Sequence, residues 1–165
     1  DAKKKGATVV CGGGSDIENR YIEPTVLTDM SEDMDIMNEE VLGPVLSVLS
    51  YKNREDVLNI ISRRPSPLAL YIYSTNDEAI DYFLTNTSSG SAVVNNNCIQ
   101  SGTNPRLPFG GVGPSGMGSY HGREGFYEFS HKKSVYTQTG SEMLAMIRPP
   151  YTDAFRKQMA SRLKR

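Results

Sequence analysis

Cysteines, histidines and paired carboxylates are the side chains that can attack a carbonyl, hold a metal or move a proton. In this 165-residue chain they are Cys11, Cys98, His121, His131 and an adjacent pair, Glu39-Glu40, set just before Gly43-Pro44. Cys11 ends the run Thr8-Val9-Val10-Cys11 and reads as a small core residue of a strand. Cys98 follows Asn95-Asn96-Asn97, close to the end of a strand where ligands commonly bind. A nucleophile could sit there, but no neighbouring base in the sequence supports that role. The two histidines are too few and too badly spaced, with no cysteine partners, to make a metal site. No catalytic residue and no metal ligand is assigned.

Two glycine clusters could approach phosphate or backbone closely. Gly12-Gly13-Gly14 follows a strand, yet Asp16, Glu18 and Asn19 do not open an apolar-periodic helix, so the turn reading wins over a dinucleotide loop. Eight of the fifteen glycines lie from Gly102 to Gly125, with Pro105, Pro108 and Pro114 among them. A loop this long in a compact domain is usually functional or disordered. Its densest part is Pro108-Phe109-Gly110-Gly111-Val112-Gly113-Pro114-Ser115-Gly116-Met117-Gly118. The bland reading is a tight surface turn, as that of Glu39-Glu40 is a solvated acidic loop. Asn86-Thr87-Ser88 fits a glycosylation acceptor by chance, since no secretory signal precedes it.

The elements that would position these residues read as strand, helix, strand, helix, strand. Val45 to Tyr51 is rich in β-branched and apolar residues. Asn53 caps a helix whose first turn holds Asp56, with Val57, Leu58, Ile60 and Ile61 at helical spacing. Arg63 and Arg64 suit its negative end, and Pro65 and Pro67 stop it. Leu68 to Tyr73 is an unbroken apolar run, as expected of a strand buried on both faces. Asn76 or Thr75 caps a second helix with Ala79, Ile80, Phe83 and Leu84 on its buried side. Ser91 to Asn95 is the third strand. Short connections between them imply an α/β fold, a parallel βαβαβ sheet with flanking helices. Earlier, Thr8–Cys11 is a short strand and Tyr21–Thr28 is extended. Later come a short helix around Arg123–Phe129, a strand at Lys133–Thr137 and a helix from Asp153 to Arg165.

Composition narrows the function classes. Net charge is −1, so the chain as a whole has no electrostatic reason to bind nucleic acid. Residues 1–140 carry 12 basic and 17 acidic side chains, and residues 141–165 carry 6 and 2. The basic tail flanks Phe155, Met159 and Leu163, a pattern that suits an anionic membrane surface or packing on the protein itself. No apolar stretch reaches the ~20 residues a membrane span needs. Two cysteines exclude a disulfide framework and point to a reducing, cytoplasmic setting. The chain begins at Asp1, which we take as the start of a segment.

Read in order, Tyr21-Ile22-Glu23-Pro24-Thr25-Val26-Leu27, Glu39-Glu40-Val41-Leu42-Gly43-Pro44 and Pro108-Phe109-Gly110-Gly111-Val112-Gly113 resemble the C-terminal part of an aldehyde dehydrogenase. Leu68-Ala69-Leu70-Tyr71, Ser88-Ser89-Gly90, Gly116 to Gly122 and Phe129-Ser130-His131 look like the class 3, fatty-aldehyde branch. The resemblance runs from Tyr21 to Thr137 and touches Arg148 to Thr152. It implies an oxidoreductase that turns aldehydes into carboxylic acids with NAD or NADP through a cysteine thioester. It also places the nucleophile and general base upstream of the matched region, which predicts that this segment alone is inactive. Glu40 matches the glutamate that hydrogen-bonds the nicotinamide ribose. Leu42 stands where the family usually has phenylalanine against the nicotinamide end. Phe109 matches an aromatic near the aldehyde entrance, and Asn96 is expected near the same pocket. The implied organisation is residues 1–131 as catalytic-domain part, 132–140 as the strand of a homodimer interface and 141–165 as basic tail. Class 3 relatives can carry a hydrophobic or lipid-modified end past this point. The rival reading is a non-catalytic interaction or dimerisation module derived from such an enzyme.

Overall fold

The computed structural model of the chain describes residues 1–102, 104–140 and 147–163. It divides into two units, Asp1–Phe129 and Ser130–Arg165.

In the first unit β1 (Thr8–Cys11) turns through Gly12 and Gly13, both at positive φ, into a small antiparallel hairpin of β2 (Ser15–Asp16) and β3 (Tyr21–Ile22). β4 (Thr25–Thr28) follows, with Thr25 and Leu27 buried on one face. Burial of the Thr25 hydroxyl is tolerable because it donates to the Glu23 carbonyl at 2.7 Å and accepts from Gly13 N–H at 2.9 Å. β4 is the centre of a mixed sheet, antiparallel to β1 and parallel to β5 (Val45–Ser47). Between β4 and β5 a 3-10 turn at Asp35–Met37 closes over Met34, which is 1% exposed. Asn38 Nδ2 seals that turn by donating to the carbonyls of Glu32 at 2.8 Å and Met34 at 3.0 Å.

The helices start where the sequence says they should. α1 (Arg54–Ser62) opens with a reciprocal box in which Asn53 accepts from Asp56 N–H and Asp56 accepts from Asn53 N–H. α2 (Asp77–Asn86) is capped by Asn76, not Thr75, through Ala79 N–H at 3.1 Å. Arg54 links the two helices, donating to Glu78 at 3.1 Å and lying 4.2 Å from the Tyr82 ring centre. β6 (Ala69–Ile72) and β7 (Ser91–Val94) pair in parallel, from Ala69 opposite Ser91 to Ile72 opposite Val94. Beyond them Asn95, at φ 57°, accepts from Ser74 N–H and donates to the Ser74 carbonyl, both at 2.8 Å. That amide clip locks the C-terminal ends of the two strands together. α3 (Gly122–Glu128) completes the first unit.

Four expectations need correction. The single parallel βαβαβ sheet does not form: β5 pairs with β4, and β6 and β7 make a separate two-stranded sheet. Apolar runs and helical spacing reveal the elements, but not the partner each strand takes. The Leu68–Tyr73 run is not buried on both faces, since Ile72 is buried while Tyr71 and Tyr73 are exposed. Among the described residues only one face of this narrow sheet finds cover. Cys11 is exposed rather than core, because a register shift between Val9 and Cys11 turns the end of edge strand β1 outward. Finally, Lys133–Thr137 forms no strand in the described chain, and Val135 and Tyr136 stand exposed. A strand requires a partner for its N–H and C=O groups, and among the described residues this segment pairs with none.

In the second unit α4 (Asp153–Arg162) is capped by Thr152, whose hydroxyl accepts from Phe155 N–H at 3.3 Å. The helix ends earlier than expected, and Lys164 and Arg165 lie outside the described residues. Among the described residues no helix is long and apolar enough to cross a membrane.

Candidate functional site

The acidic loop and the glycine loop, some seventy residues apart in sequence, meet at one groove in the first unit. Glu40 lines it together with Pro65, Ser66, Pro67 and Leu68 from the segment leading into β6, and with Pro114 and Ser115 from the glycine loop; its volume is about 570 Å³. A second groove of about 640 Å³ is lined by Leu68, Phe109, Gly110, Gly111, Ser115 and Met117, among others. Leu68 and Ser115 belong to both, so the two grooves adjoin across them.

The Glu40 carboxylate is exposed, and among the described residues it makes no hydrogen bond or ion pair. Its two oxygens can therefore accept from two hydroxyls at once, beside a wall of prolines and leucine that suits a flat apolar group. Leu42 is 90% exposed and lines neither groove.

Phe109 is held by the loop's own folding. Its N–H and C=O each bond with Tyr120 at 2.9 Å, an isolated antiparallel bridge that folds the glycines between into a closed turn. The Phe109 ring meets Tyr120 edge-on at 5.8 Å and stacks on His121 at 5.6 Å with planes 17° apart. Gly90 lets this loop sit against the start of β7, because a Cβ there would run into the Gly110 carbonyl.

Asn96 is exposed just past β7, accepts from Asn97 N–H at 2.8 Å and lines neither groove. Cys98, at φ 55°, accepts from the Tyr71 hydroxyl at 3.8 Å; that hydroxyl in turn accepts from Gln100 Nε2 at 3.1 Å. A phenol is a poor proton acceptor at neutral pH, so this neighbour does not activate the thiol. Among the described residues no group of three histidine, cysteine or carboxylate side chains is placed to hold a metal.

Sequence reading missed three contributors. From sequence, Tyr120 and His121 enter only through the class 3 resemblance and, for His121, as a rejected metal ligand, though the spacing of glycines around Gly113–Ser115 suits a hairpin that pairs Phe109 with Tyr120. Arg64 reads from sequence as a helix-end charge, whereas it also reaches the acidic loop.

Comparison with known proteins agrees with these motifs. Residues 1–135 match the aldehyde dehydrogenase family. The chain is 41% identical over its whole length to a probable coniferyl aldehyde dehydrogenase of Caulobacter vibrioides, of which it covers 35%. It is 46% identical, over 78% of its length, to aldehyde dehydrogenase family 3 member A2 of Rattus norvegicus, covering 26% of that protein. Its fold superposes on a Mycobacterium tuberculosis aldehyde dehydrogenase complexed with NAD+ with a TM-score of 0.74 at 32% identity, over 86% of this chain and 29% of that one. The chain thus spans about a quarter to a third of the length of these relatives.

Proposed function

The chain belongs to the aldehyde dehydrogenase family, with class 3 members among its relatives, and on that premise we propose that it forms the C-terminal part of the catalytic domain of a class 3-like enzyme. That enzyme oxidises aldehydes to carboxylic acids with NAD or NADP, its nucleophilic cysteine and general-base glutamate being supplied by sequence outside this chain. The observation carrying this reading is the meeting of Glu40 and the Phe109 loop at adjoining grooves that share Leu68 and Ser115.

The residues suit a nicotinamide nucleotide. An unpartnered carboxylate beside an apolar wall offers two acceptors to a ribose diol and a surface to a flat ring. When bound, the cofactor supplies the acceptor for the hydride leaving the aldehyde carbon. Glu40 orients the ribose, and so fixes how the ring meets the reacting carbon. Leu42, in place of the usual phenylalanine, gives aliphatic contact where an aromatic face would give more area. Phe109, braced by Tyr120 and His121, flanks the path of the aldehyde, and Asn96 serves the same entrance. Lys133–Thr137 packs at a homodimer interface, and the basic tail rests on protein or on an anionic membrane. The exposed Val135 and Tyr136 equally favour the rival reading, a dimerisation module without catalysis.

The test is an assay of the purified chain with hexanal or benzaldehyde and either cofactor. No reduced cofactor should form. Turnover that Cys98→Ser abolishes would restore Cys98 as a nucleophile and remove the need for an external one.

A further inference from the structure

We infer that Arg64 is the positioning residue of the Glu40 loop, tying both walls of the Glu40 groove to the end of α1. The inference rests on the reading of Glu40 as a cofactor-holding residue. Arg64 is half-buried at the C-terminal end of α1. Its Nη1 donates to the Ile60 carbonyl at 2.7 Å and its Nε to the Met37 carbonyl at 3.2 Å. The first bond satisfies a carbonyl that the ending helix leaves open. The second reaches across 27 positions of sequence to the end of the 3-10 turn, three residues before Glu40.

The segment between that anchor and Glu40 is stiff. Met37 N–H donates to the Met34 carbonyl at 3.0 Å, and Asn38 and Glu39 N–H both donate to the Asp35 carbonyl at 2.9 Å. Met34 beneath them is buried. Fixing the Met37 carbonyl therefore fixes where Glu40 leaves the turn. On the other side, Arg64 is followed directly by Pro65, Ser66, Pro67 and Leu68, the opposite wall of the groove. Pro65 disfavours helical backbone at Arg64, so the helix stops there and the chain runs on into that wall, while the Arg64 side chain bonds back to the helix and the loop. One guanidinium thus sets the distance between the Glu40 side and the proline side. A planar fork with donors in two fixed directions does this; a lysine ammonium can serve one carbonyl well, but not both with the same geometry. Arg63 also reaches the acidic loop, through Glu32 at 2.8 Å, but that pair is exposed on both sides and solvent weakens it.

Arg64→Met, Arg64→Lys and Arg63→Ala in the family-length enzyme carrying this chain test the assignment, with hydrogen exchange and steady-state kinetics read on each. Arg64→Met should speed exchange at residues 35–40 while leaving β6 and β7 unchanged. It should raise the cofactor KM about fivefold or more, with the aldehyde KM moving less than twofold; Arg64→Lys should recover part of both effects and Arg63→Ala should stay near wild type. Unchanged exchange at residues 35–40, or equal loosening of β6 and β7, overturns the assignment. If exchange rises locally but neither Arg64→Met nor Glu40→Gln moves the cofactor KM, the tie to the loop stands and the ribose reading of Glu40 fails. If Glu40→Gln moves it and Arg64→Met does not, Arg64 is not the positioning residue.

Discussion

A residue's role in this chain depends less on its own chemistry than on what the turns around it bring near. On its own the Glu39-Glu40 pair before Gly43-Pro44 reads as a solvated acidic loop, and only its place in an ordered series of motifs singles out Glu40. The prolines that face it were not, since they lie in a segment that reads only as a helix stop. Cys11 shows the opposite failure: its strand context was right, but a bulge exposes it. Leu42 gives a residue-level prediction. Exposed beside the Glu40 loop, it has room for a larger side chain. Leu42→Phe in the family-length enzyme should lower the cofactor KM by about 2- to 10-fold, the worth of an aromatic contact of ~0.5–1.5 kcal/mol, and leave the aldehyde KM alone. Varying the two substrates in turn checks this, and a shift confined to the aldehyde would assign Leu42 to the wrong ligand.

Elements were read from local signals, so their presence and caps came through while their partners did not. Asn53 with Asp56 and Asn76 with Ala79 show that caps follow from side-chain chemistry over three residues. Asn53→Ala should cost about 1 kcal/mol, seen as a lower urea midpoint at unchanged slope; an unchanged midpoint would mean that packing alone holds α1. Strand pairing is a long-range choice, and nothing in Val45–Ser47 announces that Thr25–Leu27 rather than Ala69–Ile72 will lie beside it. The glycine loop is the other long-range feature. Gly90→Ala forces the loop off the start of β7, an overpacking of about 1–3 kcal/mol. Because Phe109 rides on that loop, the aldehyde KM should rise while the cofactor KM holds. Equal changes in both would indicate general unfolding.

At the scale of the whole molecule, apolar surface is the dominant fact. Leu42, Met117 and Phe129 are each at least 90% exposed, and Phe126, Val135 and Tyr136 are open as well. Among the described residues only Leu27, Met34, Ile72 and Val93 are buried apolar side chains. Such a surface seeks cover, so the isolated chain should self-associate in sedimentation or light scattering. A monodisperse monomer that melts cooperatively would count against its being part of a larger domain. The proposed role of Glu40 in holding the cofactor is tested directly by steady-state kinetics of Glu40→Gln in the family-length enzyme, with the cofactor varied. The amide keeps the shape and loses charge-assisted hydrogen bonds worth about 1.5–3 kcal/mol each. A fall of roughly 10- to 100-fold in kcat/KM for the cofactor is predicted, with kcat affected at least as much as KM. If kcat and the cofactor KM both stay at wild-type values, Glu40 is only part of an acidic loop and does not hold the cofactor.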